Sequence, residues 1–317
     1  MDSDAILTAV NAVESITNPP HTPERSSYRA RKTVEQIIHL IFLLCGIVAV
    51  AFVLLISIYL ILSGLPAIQE IGLKDFLFGT KWASTAKEPE FGILPFILTS
   101  VYGTAGAMFF GVPIGFLTAV FLAKLAHPRV AAVIRTAVDL LAGIPSVVYG
   151  LIGMTVLVPA IRVAFGLSSG ATLFAAMIVL AVMILPSIIS VSETALKAVP
   201  KEYEEASLAL GATEIETYFR VSVPAASSGI AAAVVLGIGR AIGEAMAIMM
   251  VAGNVPNMPS LFKSVRFLTT AIASEMSYAS YGSLQRNALF SIALVLFLFI
   301  MLINVLLNTL LKRKKNK

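Results

Sequence analysis

Between Glu35 and Glu70 the chain carries no Lys, Arg, Asp or Glu, and residues 41–62 form an apolar run of 22. About 20 such residues in a helix cross the hydrocarbon of a bilayer, so this stretch alone commits the chain to lipid. A membrane β-barrel would show segments of about ten residues with alternating polarity. Five more apolar blocks follow, at 91–123, 136–161, 163–192, 221–252 and 287–311. The block 91–123 is free of charge over 33 residues. As one straight helix it would outrun the roughly 30 Å of hydrocarbon, so it must tilt, bend or emerge, with Pro95 and Pro113 as candidate places. The expected fold is an all-α polytopic membrane protein with six transmembrane helices. With 58% hydrophobic and 13% charged residues, the chain is far more apolar than a soluble protein.

Six spans put both ends on one side, together with the second and fourth connections. That side holds 15 of the 23 basic residues, from Arg25, Arg29, Arg31 and Lys32 to the final Lys312–Lys317 run; seven lie opposite, and Arg240 lies within the membrane. The positive-inside rule then places both termini in the cytoplasm. The organisation expected is a cytoplasmic tail and lead-in at 1–36, a transmembrane domain at 37–311 with a cytoplasmic region at 194–224, and a basic cytoplasmic tail at 312–317. Residues 1 to about 28 read as a mobile polar tail, and 29–39 as a lead-in along the headgroups.

The net charge of +5 calls for no nucleic acid, since the basic residues border spans and do not alternate with aromatics. About 35 polar residues precede the first span, too many for a cleaved signal peptide. The single Cys45 excludes an internal disulfide and a cysteine metal site, and His21, His39 and His127 have no metal-ligand spacing. No Gly-Lys pair occurs, hence no phosphate loop, and Gly237 with Gly239 lacks the strand and the third glycine of a nucleotide fingerprint.

Six places carry candidate chemistry or contacts. Gly143, Pro145 and Gly150 interrupt the third block. Pro145 lacks a donor and clashes with the turn before it, which suits either a broken helix lining a translocation path or an ordinary kink. Residues 193–224 are rich in charge: 202–210 is a good helix former ended by Gly211, and Thr213 before Glu214 and Glu216 starts a second short helix. Such a helical knob at the bilayer surface is either an ordinary surface loop or the shape needed to pass force to a soluble motor.

Arg240 and Glu244, four residues apart, fall on one face of a helix. An arginine near mid-bilayer costs about 2.5–3.5 kcal/mol on insertion scales, so the pair must face protein or water. It is either an anion stop, with Glu244 steadying the guanidinium and weakening its grip, or a structural ion pair. Arg135 and Asp139 repeat that spacing and read as a structural pair. Outside the membrane, Trp82 reads as an interfacial anchor or a partner contact, and Lys263 and Arg266 as charges that attract an anion, dock a partner or are simply solvated.

The cytoplasmic region resembles the permease subunits of bacterial ATP-binding-cassette importers. Their signature is Glu-Ala-Ala, three residues, Gly, nine residues, Ile, one residue, Leu-Pro. Here Glu205-Ala206-Ser207, Gly211 and Val221-Ser222-Val223-Pro224 stand at those spacings, with Ser for the second Ala and Val for Ile and Leu. Within that superfamily the chain is similar to the phosphate-importer permeases of the PstC type, through Leu141–Gly150, Gly239–Ile248 and the loop Phe76–Trp82; the PstA-type paralogue shares the first two.

The resemblance implies a type I ABC importer permease fold in a bacterial or archaeal inner membrane. It also implies a second homologous permease of the PstA type, two copies of an ATPase that hold ATP and Mg, and a periplasmic or lipid-anchored phosphate-binding protein. This chain would bind no cofactor and no metal and would catalyse no reaction. Glu205, Ala206 and Gly211 would dock in the ATPase groove, and Arg240 and Glu244 would belong to the phosphate path. The rival readings are a PstA-type subunit, a permease for sulfate or molybdate, and an ion-coupled secondary transporter.

Overall fold

The computed structural model describes residues 24–315, with side chains from Val34 to Leu306 and at Thr309. The expectations for 1–23 and for the side chains of the basic tail fall outside those residues. The chain divides after Ile58. Helix α1, Glu24–Ile71, is unbroken over 48 residues, so the expected separate lead-in is the start of this helix. Up to Ile58 its apolar side chains are exposed, Phe42 at 70% and Leu55 at 60%, the surface that lipid covers.

From Tyr59 onward the helices pack. After α2 (Leu73–Phe78), two short strands, β1 (Trp82–Ala83) and β2 (Glu90–Phe91), pair antiparallel with Trp82 opposite Phe91. Helix α3, Leu94–Val120, continues through a π-helical turn at Phe121–Leu125. Pro95 lies in its first turn, where a missing N–H costs nothing, and Pro113 lies inside it. Helix α4 covers Pro128–Gly143, and the next span joins α5 (Ser146–Ile152), a π turn at Gly153–Leu157 and α6 (Val158–Ala164). Helix α7 is Leu173–Lys197.

The charged segment after α7 forms α8 (Lys201–Ala209), α9 (Glu214–Thr217), a π turn at Tyr218–Ser222 and α10 (Val223–Ala225). Helix α11, Ser227–Gly243, leaves this segment at an angle of 71°. Then come α12 (Met246–Val251), α13 (Leu268–Glu275) and α14 (Leu284–Lys315). Among the described residues five helices are long and apolar enough to cross a membrane, and the bent pair Glu214–Ala225 with Ser227–Gly243 counts as a sixth where it is taken as one span. The third span begins at Ser146, ten residues later than the apolar block suggested, because Pro145 detaches the helix before it.

Two helices set the core. Small residues on α3 let α7 approach closely: a Cβ on Gly111 would lie 2.8 Å from Ile184 Cδ1, and one on Gly115 would lie 2.9 Å from Ile188 Cγ2. Leu180, Ile184, Ile188 and Ile248 fill the space beside them. A second core gathers Phe76, Trp82, Phe91, Phe96, Leu268 and Leu289. It ties the loop after α1 to the starts of α3, α13 and α14.

Candidate functional site

Helix α11 carries Arg240 in its last turn and ends at Gly243. Glu244 is extended, with φ −73° and ψ 132°. The two side chains therefore do not share a helix face, and among the described residues no ion pair joins them. The expected pair is replaced by two separate arrangements. Glu244 Oε1 accepts from the Ala247 N–H at 3.1 Å, satisfying one of the free donors at the start of α12. Its main-chain oxygen accepts from Thr269 Oγ1 at 2.7 Å. Glu244 thus holds a break between two helices and ties it to α13.

Arg240, freed from Glu244, donates from Nη1 to Ser187 Oγ on α7 at 3.4 Å, a long contact. Its guanidinium stands on the wall of a cavity of about 580 Å³ between α7, α11 and α14, with Ser187, Val235, Leu236, Gly239 and Asn304 beside it. A permanently charged donor fork with one weak neutral partner, facing open space, can take an anion oxygen. Asn304 is absent from the sequence-derived site. Its signal was an amide inside a run of Leu, Ile and Val.

Gly143 ends α4, and Pro145 precedes α5 in extended geometry, φ −58° and ψ 142°. The break is real, but Gly143, Pro145 and Gly150 do not line the Arg240 cavity. Gly150 is buried against α12: a Cβ there would lie 2.9 Å from Ala247 Cα. Tyr149 bridges the break by donating to the Leu141 carbonyl at 2.7 Å.

The charged knob has the two-helix form its sequence predicted. Gly211 turns the chain at φ +88°, a value that favours glycine. Thr213 and Glu216 form a reciprocal capping box at the start of α9. Glu205 and Ala206 are exposed, as are Tyr203, Ile215 and Leu210, the last at 90%. Sequence reasoning missed how the knob is anchored. Glu204 pairs with Lys124 of the π turn after α3 and accepts from Ser222 Oγ at 2.7 Å. Ser207 and the buried Thr217 also share a hydroxyl contact at 2.9 Å.

Two further expectations are corrected. Arg135 Nε donates to Glu193 of α7 at 2.6 Å instead of pairing with Asp139, and Lys197 reaches the same Glu193 oxygen at 2.6 Å. Trp82 is no interfacial anchor: it is 6% exposed and donates from Nε1 to Glu275 Oε1 at 2.9 Å. Glu275, 4% exposed, also accepts from Ser84 at 2.8 Å, Gln285 at 3.2 Å and Arg266 Nη1 at 2.5 Å. Arg266 is thereby neutralised and does not steer anions, while Lys263 is exposed.

Comparison with known proteins places this arrangement. Residues 111–317 match the family described as binding-protein-dependent transport system inner membrane component. A probable ABC transporter permease protein, YqgH of Bacillus subtilis, is 42% identical over 269 residues, covering 83% of this chain and 87% of that one. The phosphate transport system permease protein PstC of Haemophilus influenzae is 36% identical over 292 residues, covering 84% and 91%. In fold, the chain is similar to a bacterial alginate ABC transporter solved with a pentasaccharide-bound periplasmic protein, with a TM-score of 0.60 at 17% identity over 88% of this chain and 96% of that one. The chain belongs to the family of binding-protein-dependent transport system inner membrane components, the multi-pass permeases of ABC importers, and within it to the PstC type.

Proposed function

We propose that this chain is one of two permease subunits of an ATP-driven importer that moves inorganic phosphate from an extracytoplasmic binding protein into the cytoplasm. The observation that carries the reading is the Arg240 guanidinium on the wall of the cavity between α7, α11 and α14. An incoming oxyanion displaces only the 3.4 Å contact to Ser187, so little is lost when it binds. The similarity to PstC permeases supports phosphate as the anion.

Both termini lie in the cytoplasm in this reading, by the bias of basic residues. Glu205, Ala206, Gly211 and the exposed apolar residues of α8 and α9 dock on an ATPase subunit, one of two that hold ATP and Mg. A PstA-type permease completes the path, and the exposed apolar faces of the spans contact membrane lipid. ATPase closure pushes on α8, and Lys124 carries that movement to α3 through Glu204. The chain itself makes and breaks no covalent bond.

The test is anion uptake into proteoliposomes holding this chain with its partner permease, ATPase and binding protein. ATP-dependent uptake of phosphate, with sulfate and molybdate excluded, supports the reading. Uptake of sulfate or molybdate in place of phosphate overturns the substrate. Uptake driven by an ion gradient without ATP makes the chain a secondary transporter.

A further inference from the structure

Asn304 is a polar residue in a helix that otherwise shows lipid an apolar surface: Leu298, Met301, Leu302, Val305 and Leu306 are all exposed. A polar side chain inside a span faces protein or a watery cavity, and Asn304 lines the cavity that holds Arg240. The α11 residues on that cavity run from Ala232 to Arg240 along one helix face. At 1.5 Å per residue this is a groove about 12 Å long.

The fold fixes which end of the groove is which. Arg240 lies one turn before Glu244, whose carbonyl is bonded to Thr269 of α13, next to Leu268 in the core that contains Trp82. Ala232 lies toward Ser227, where α11 meets the cytoplasmic segment. On α14, Ile292 belongs to the Trp82 core, and Asn304 comes 12 residues later, about 18 Å farther along the helix axis. Arg240 is therefore at the outer end of the groove and Asn304 at the inner end.

We infer that Asn304 is a second anion contact, inward of Arg240, which receives the oxyanion as it leaves the guanidinium. This rests on the reading of the Arg240 cavity as the transport path. The Asn304 amide offers two N–H donors to anion oxygens without a charge. A second arginine would deepen the well and trap the ion, whereas an amide lowers the step between Arg240 and the cytoplasm while leaving release easy. Val235, Leu236 and Gly239 between them offer the anion no side-chain hydrogen bond, so beyond Arg240 and the Ser187 hydroxyl beside it the next polar lining residue is Asn304.

The experiment uses the assembled complex with Cys45→Ala, which removes the only cysteine of this chain. Asn304→Cys is added, and its modification by a water-soluble, negatively charged thiol reagent is followed by the mass of this chain, with and without inorganic phosphate. The expected result is labelling that phosphate slows severalfold. No labelling, or labelling at the same rate with phosphate, overturns the assignment. In parallel, Asn304→Leu is expected to lower phosphate kcat/KM by roughly tenfold, the worth of one hydrogen bond to a charged group, and Asn304→Asp by more, with ATPase assembly retained in both. Transport unchanged in Asn304→Asp also overturns it. Failure of the phosphate reading shows separately, as absence of phosphate uptake by the unsubstituted complex; the labelling arms are then read with the anion that complex does carry.

Discussion

Replacing Glu275 with alanine removes the acceptor on which four donors from separate parts of the chain converge. Arg266, with its side chain 15% exposed, loses its anion, and the Trp82 indole, 6% exposed, loses its acceptor. Breaking a buried ion pair from one side costs about 3–5 kcal/mol, because the surviving charge stays desolvated. Ser84 and Gln285 can turn to water and add little. Glu275→Gln keeps the shape and one acceptor oxygen and should cost less, roughly 1.5–3 kcal/mol, the value of a hydrogen bond to a charged group. Trp82 is the only tryptophan, so its emission during urea unfolding in detergent reports this core without labels. Emission should shift to the red in Glu275→Ala, and the first transition should move to lower urea by an amount matching the predicted loss. Emission and midpoint equal to those of the unsubstituted chain, within about 1 kcal/mol, would refute the view that Glu275 holds the loop carrying Trp82 and Ser84 to α13 and α14.

Two other substitutions probe the charged knob of α8 and α9. Lys124→Met should leave ATP hydrolysis by the complex intact but lower the phosphate carried per ATP severalfold, and the exchange Lys124→Glu with Glu204→Lys should recover part of it; equal stoichiometry in all three would show that the pair transmits nothing. Gly211→Val forces a β-branched residue to φ +88° at a cost of about 1–2 kcal/mol. It should weaken retention of the ATPase in a pull-down about tenfold, whereas Gly211→Asn, which tolerates this conformation, should stay near the original.

Most of the spans were legible because they are long runs of charge-free residues, and no distant contact is needed to keep such a run in lipid; the fifth, which carries Arg240, was legible from the apolar residues on either side. The knob was legible for a related reason: Gly211 and the Thr213–Glu216 box act within a few residues of themselves. Glu244 was misread because two local geometries suit it. Its carboxylate can reach back four residues to Arg240 on a continuous helix or forward three to the Ala247 N–H across a break. Thr269, 25 residues on, helps to hold the break by bonding the Glu244 carbonyl. Arg135 and Trp82 follow the same pattern, since their partners Glu193 and Glu275 lie 58 and 193 residues away. Spacing rules describe neighbours on one helix and say nothing of such contacts.

The central claim is that Arg240 meets the transported anion. The direct measurement is ATP-driven uptake of radiolabelled phosphate into proteoliposomes with Arg240→Gln, beside the unsubstituted complex and with ATPase content and basal hydrolysis measured in both. Uptake is expected to collapse while assembly and hydrolysis persist. Equal uptake by the two complexes would contradict it and leave Arg240 as a structural charge.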